Sequence, residues 1–397
     1  MSQWSVRSAT EDDQQAITRL AATCFVAYDP PERRPPWQVM AADEGSVVVT
    51  EGAEIVGMAR YLDMQLTVPG DNVLPVAGVS AVAVAPTHRR RGVLRAMYTE
   101  LHERIARAQY PIAALTATQG GIYGRFGYGP ATIERGLSVQ RRLATFHHDV
   151  PDAGGVRLVA PGEHREQLMD IYDRWRRVTP GGLECPGVLW DDLLADREAD
   201  RDGGTAWFAF LHPDGYALYR VRHGDTMVAR VEAMTAVTPD AHAALWRALV
   251  GLDLIEQVQI DTFPADPLQY LLADARQVRT VSQVDALWLR IMDVPAALRA
   301  RRYLADLDLV LEVRDGFRSD GGRFALHVRD GVAGCTPTDE PAHVHLDIDV
   351  LGSIYFGAHS VTELAAAHRV HCSDAELLTQ MDLAFRSVVP AVLGYHF

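Results

Sequence analysis

The chain has 397 residues, 48% hydrophobic and 23% charged, which describes a globular protein too long for one core, so two or three domains are expected. Its 52 acidic residues against 38 basic ones give a formal net charge of −14, which argues against a nucleic-acid binder, because phosphate neutralisation needs a basic surface. The sequence contains no lysine, so chemistry that needs a lysine amine is excluded: Schiff bases, pyridoxal phosphate, P-loop NTPases and protein kinases.

The N-terminal stretch carries acids where a signal peptide would carry basic residues and an apolar core. No apolar run nears the roughly 20 residues that cross a bilayer, and a cytoplasmic protein is expected. Thr10 followed by Glu11, Asp12 and Asp13 predicts a helix start, and Ile17, Leu20, Ala21 and Cys24 give it an apolar stripe. Asp29-Pro30-Pro31 breaks the pattern and opens an irregular stretch to Trp37. Residues 45–50 and 54–61 read as a hairpin turning at Glu51-Gly52.

Residues 79–85 then read as a strand that Pro86 stops. From Gly92 a helix presents Leu94, Met97, Tyr98, Leu101, Ile105 and Ala108 on one face. A second strand over 112–118 leads into the glycine-rich QGGIYGRFGYGPAT, and strand–helix–strand predicts a parallel crossover. A faint echo follows: Ala236-Val237-Thr238-Pro239 precedes a helix over 241–252, as Ala83-Val84-Ala85-Pro86 precedes the first, without arginines or glycine. From about Asp285 short strands (309–313, 324–328, 344–348) precede helices (361–367, 374–385), predicting a separate α+β domain. The tail Gly394-Tyr395-His396-Phe397 is aromatic enough to dock. Cys24, Cys185, Cys335 and Cys372 lack metal spacing, so reduced, mostly buried thiols and no metal are expected.

The most informative residues are Arg89, Arg90, Arg91 and Gly92 between strand and helix. Cations at a helix N-terminus oppose its dipole at about 0.3–1 kcal/mol each. Unpaired amides there bind phosphate, and glycine allows close approach, so a pyrophosphate or phosphorylated cofactor is expected. The segment Arg89-Arg90-Arg91-Gly92-Val93-Leu94 resembles the R-x-x-G-x-(G/A) motif of GCN5-related N-acetyltransferases, with Leu94 in place of the small final residue. Ile122-Tyr123-Gly124-Arg125-Phe126-Gly127-Tyr128 resembles the family's aromatic F-Y-x-x-x-G-F segment. With HPDGYALYRV and GGRFAL, these segments resemble the enhanced intracellular survival (Eis) acetyltransferases of mycobacteria along the whole chain.

That resemblance implies a mixed α/β chain: a catalytic domain over 1–140, a degenerate acetyltransferase-like domain without cofactor over 141–286, and a sterol-carrier-like domain over 287–397. It implies an acetyl-CoA-dependent N-acetyltransferase acting on aminoglycosides, often at several positions, and assembled as a homohexamer. Backbone groups of Val82, Ala83 and Val84 would meet the pantetheine arm, with Thr118 beside it. Amides of Arg90, Arg91, Gly92, Val93, Leu94 and Arg95 would hold the pyrophosphate, with Arg89 and Arg90 adding charge. Tyr123 would be the general acid and the Phe397 carboxylate the general base. Asp29, Trp37 and His396 are candidates for the acceptor side; Ala27 and His396 stand where the family carries acids. Acetylation of protein or peptide lysines at the same site is the alternative, and lipid or sterol binding by the last domain is a reading of another class.

Overall fold

A computed structural model describes residues 4–26 and 36–397. Strand β1 (Ser5–Ser8) precedes helix α1 (Gln14–Phe25). The start of α1 is set by Asp13, which accepts hydrogen bonds from the Thr10 amide and the Arg7 guanidinium. After the short α2 (Pro36–Val39) come β2 (Ala41–Glu51), β3 (Glu54–Val68) and β4 (Asn72–Val84), each antiparallel to its predecessor. Helix α3 (Val93–Arg107) crosses over to β5 (Ile112–Thr116), which lies parallel to β4. Met97, Tyr98, Leu101 and Ile105 of α3 are fully buried in the core. Leu94 is only half-buried and Ala108 is exposed, because the helix ends at Arg107. The one-turn helix α4 (Gly120–Tyr123) and the short β6 (Gly129–Pro130) close this part.

The second sheet is built from β7 (Ile133–Gln140), β8 (Arg157–Val159), β9 (Phe208–His212), β10 (Gly215–His223), β11 (Met227–Ala236), β12 (Gln257–Thr262) and β13 (Val278–Asp285). Its order is β13-β7-β12-β11-β10-β9-β8. Around it lie α5 (Arg165–Val178), α6 (Gly187–Leu194), α7 (Pro239–Val250) and α8 (Leu268–Leu271). Here α7 connects β11 to a parallel β12, repeating the β4–α3–β5 crossover and confirming the sequence echo as structural.

Strand β14 (Leu287–Ile291) then inserts between β5 and β6, so the first sheet runs β1-β2-β3-β4-β5-β14-β6. A third sheet, β17-β16-β15-β18-β19, comprises β15 (Leu307–Arg314), β16 (Gly322–Arg329), β17 (Val332–Pro337), β18 (Val344–Asp347) and β19 (Val370–His371). Helices α9 (Val294–Ala300), α10 (Ile348–Ile354), α11 (Val361–Ala366) and α12 (Ala375–Phe385) accompany it.

By compactness one unit gathers the chain up to Thr132 with Ala286–Val388 and Tyr395–Phe397, and the other holds Ile133–Asp285 with Val389–Gly394. Two boundaries therefore differ from expectation. β7, placed by the sequence reading in the first segment, pairs in the second sheet, and β14, placed in the third, pairs in the first. The C-terminal sheet falls in the same compact unit as the first sheet. α10 lies against β6 and β14, where Gly129 and Gly352 allow backbone to meet backbone: a Cβ on Gly352 would fall 2.3 Å from the Leu289 carbonyl. The four cysteines are unpaired, but only Cys335 is buried; the other three are half-buried, against expectation. Cys24 sits near the end of α1, its thiol donating to the Val84 carbonyl at 3.5 Å. No helix among the described residues is long and apolar enough to cross a membrane.

Candidate functional site

β4 and β5 are paired only from Val76–Gly78 to Ile112–Ala114. Beyond Gly78, β4 continues to Val84 along β3, so its edge toward β5 is left without a partner strand. The departure coincides with a bulge: Ser80 pairs with Arg60 and Ala83 with Met58, so Ala81 and Val82 share one partner position. Ala81 is left-handed, φ 53°, a conformation that costs a non-glycine residue roughly 1–2 kcal/mol. Val82 and Val84 are half-buried beside the buried Ala83, and the opening is a wedge between two strands of one sheet.

At the far end of that edge the chain turns through Arg89, Arg90, Arg91 and Gly92 into α3. Arg90 (φ 61°) and Gly92 (φ 90°) are both left-handed. No side chain caps α3, and the amides of Val93, Leu94 and Arg95 precede the first intrahelical bond, from Ala96 to the Gly92 carbonyl at 3.0 Å. A Cβ on Gly92 would meet nothing within 4 Å, so the space beside this glycine is open. The three arginines are not equivalent. Arg91 is engaged, 3.5 Å from Glu51 and stacked over Trp4, and Glu51 also holds His88 at 2.8 Å. Arg89 and Arg90 are exposed with no acidic partner among the described residues. Arg95 lies over the Phe317 ring.

Past β5 the chain forms the tight turn carrying Tyr123. The Gly127 amide donates to the Gly124 carbonyl at 2.9 Å and the Tyr128 amide to the Tyr123 carbonyl at 3.3 Å. Gly127 is left-handed, φ 83°. Tyr123 is 7% exposed, in contact with Tyr98 and Tyr128. Burial holds its phenol above the ordinary value, while a hydrogen bond with Thr118 opposes the shift. Thr118, expected beside a pantetheine arm, is thus a partner of Tyr123. Tyr128 is fully buried and bonded to His102 at 3.1 Å, a packing role.

The tail docks into the same region. Thr116, the last residue of β5, donates its hydroxyl to the terminal oxygen of Phe397 at 3.0 Å. A Cβ on Gly78 would come 3.0 Å from the Phe397 ring, so the terminal side chain rests where β4 leaves β5. Two threonines at the exit of β5 therefore hold the two groups: Thr116 the terminal carboxylate and Thr118 the phenol. Sequence reasoning missed Thr116, the Ala81 bulge and Gly78, although a glycine inside a strand does signal close approach. Trp37 is half-buried on α2, His396 is exposed, and Asp29 lies outside the described residues, as does Ala27. His147, His148 and Asp149 bring ligand atoms within 4.8 Å of one another, all three exposed.

The repeated crossover starts its helix differently. Thr238 accepts a hydrogen bond from the Ala241 amide at 3.2 Å, Pro239 occupies the first turn, and Asp240 adds negative charge there. The N-terminus of α7 is closed by its own residues.

Residues 5–131 match the model of an acetyltransferase (GNAT) domain, residues 181–291 match a second GNAT model, and residues 294–393 match a sterol carrier protein domain. The chain is 55% identical over 401 residues to N-acetyltransferase Eis of Mycobacterium tuberculosis, covering 98% of both. It is 33% identical to an uncharacterized N-acetyltransferase of Streptomyces avermitilis over 92% of each. The crystal structure of Eis1 from Mycobacterium abscessus superposes with a TM-score of 0.88 at 28% identity, covering 99% of this chain and 100% of that one.

Proposed function

The chain belongs to the Eis family of GCN5-related N-acetyltransferases, and on that premise we propose that it transfers acetyl from acetyl-CoA to amines of aminoglycosides, with Tyr123 as general acid and the Phe397 carboxylate as general base. The observation that carries this reading is the hydrogen bond from Thr116 to the Phe397 terminus, at the point where β4 parts from β5. Chain termini are poorly ordered unless tied down, and this one is tied down at the opening of a strand wedge.

The residues present fit the donor. Uncapped amides of Val93, Leu94 and Arg95, the open space beside Gly92, and Arg89 and Arg90, exposed and without an acidic partner among the described residues, suit a diphosphate. The free edge at Val82, Ala83 and Val84 suits an extended amide-bearing arm. Acetyl-CoA supplies the activated thioester; the chain's own groups do the rest. The Phe397 carboxylate takes a proton from the acceptor ammonium, producing the nucleophilic amine. Tyr123, a phenol whose pKa burial raises further, would hydrogen-bond to the sulfur and protonate it as the C–S bond breaks, and the proton that the newly acylated nitrogen loses would restore the phenol. The closed N-terminus of α7 supports a second domain without cofactor, and α10 on the first sheet supports a C-terminal domain that serves as a cap. The net charge of −14 favours polycationic acceptors through steering. A homohexamer belongs to the same proposal.

Thiol release from acetyl-CoA tests the acceptor. Release with kanamycin supports the aminoglycoside reading, whereas release only with a lysine peptide assigns the site to the alternative. Tyr123→Phe is expected to lower kcat about tenfold to hundredfold with KM for acetyl-CoA nearly unchanged. Because burial raises the Tyr123 pKa, any alkaline loss of kcat from this phenol is expected at higher pH than for an ordinary tyrosine. Arg89→Ala/Arg90→Ala is expected to raise KM for acetyl-CoA about tenfold at low salt, less at high salt, with kcat within about twofold. An unchanged KM would remove these two residues from the site.

A further inference from the structure

The turn that carries Tyr123 is anchored by a residue far away in sequence. Arg290, in the middle of β14, is 1% exposed and donates from one guanidinium nitrogen to the Phe126 carbonyl at 2.7 Å. Its other terminal nitrogen bonds the buried carboxylate of Asp315. Asp315 in turn accepts the amides of Phe317 and Arg318, each at 3.0 Å, and so shapes the turn after β15. That turn reaches back to the catalytic half: Phe317 packs edge-on against Phe126 at 5.0 Å, and Arg318 donates to the His102 carbonyl of α3 at 2.6 Å. Phe126 is itself stacked on Tyr98. The left-handed Gly127 is explained by the same contact, since a Cβ there would fall 1.8 Å from the Arg290 guanidinium.

We propose that Arg290, held by Asp315, is a positioning residue that sets where the Tyr123 phenol stands. The argument is geometric. Tyr123 opens the turn, its carbonyl bonds the Tyr128 amide, and the turn's far side is pinned at Phe126 by a rigid fork that also grips a buried carboxylate. Lysine has one ammonium and no planar fork, and cannot span both acceptors in this geometry. The sterol-carrier-like domain thereby acts on the acid of the acetyltransferase domain through one guanidinium. This inference rests on the reading of Tyr123 as the general acid.

A double-mutant cycle on the full-length enzyme tests it, using Arg290→Lys, Tyr123→Phe and the pair, with kcat and KM from thiol release. Arg290→Lys is expected to lower kcat about ten- to hundredfold with KM for acetyl-CoA within about twofold. The pair is expected to be no slower than Tyr123→Phe alone, because a misplaced phenol and a missing one are equivalent. Asp315→Asn, which keeps the shape, is expected to follow the same cycle and serves where Arg290→Lys does not fold. Wild-type kcat in both variants, or losses that multiply in the pair, would overturn the proposal. So would failure of both variants to fold, which makes the pair a fold element only. Wild-type kcat in Tyr123→Phe overturns instead the acid assignment on which the proposal stands.

Discussion

Adding two alanines after Phe397 is expected to lower kcat about hundredfold or more while leaving the melting temperature within a degree or two. Extension preserves the carbonyl that Thr116 binds, because a peptide carbonyl accepts the same bond. What it removes is charge: an amide cannot take a proton from an ammonium. The experiment therefore separates docking from basicity, which deletion of Phe397 would not. Thiol release with a good amine acceptor reads the rate, and thermal unfolding reads the fold. Turnover within about threefold of the parent would assign the base to another group and return the tail to packing.

Gly129→Ala is expected to produce the largest stability change. Its Cβ would fall 1.8 Å from the Asp349 carbonyl and 2.4 Å from the Ser353 hydroxyl. The first of these is helix backbone and cannot rotate aside. Overpacking at a fixed contact costs about 3 kcal/mol at the upper end of the usual range, or a fall in Tm of roughly 6–12 °C for a unit of this size. Gly352→Ala meets the Leu289 carbonyl in the same way, but gains about 1 kcal/mol of helix propensity and should lose less. A Gly129→Ala protein melting within 2 °C of the parent would mean that α10 can lift from the sheet without cost.

What the sequence made legible was local. The arginine run before α3 stood out because charge was placed against the helix dipole, and Tyr123 because its spacing to Gly127 matches a family pattern. The crossover strands and helix were readable from β-branching and a 3.6-residue stripe. Contacts closing over hundreds of positions were not. The Thr116–Phe397 bond spans 281 residues and the Arg290–Phe126 bond 164, and no periodicity encodes either. α10 was missed for a related reason. Three of its seven residues, Ile348, Val350 and Ile354, are β-branched, and all but Asp349 are buried, so no polar face marks the helix. Packing of Gly352 on β14 decides its conformation. The segment boundaries failed where β7 and β14 each pair with the sheet across the expected border.

On the proposed role of the Phe397 carboxylate, the base has no existence during synthesis. Until the ester to tRNA is hydrolysed, the final carbonyl is no acid at all, and a nascent molecule that has already folded its wedge remains silent. On that proposal, release at the stop codon is the step that completes the catalyst. On the same proposal, stop-codon readthrough is expected to yield folded protein with strongly reduced turnover. Expression systems should therefore place any affinity tag at the opposite end.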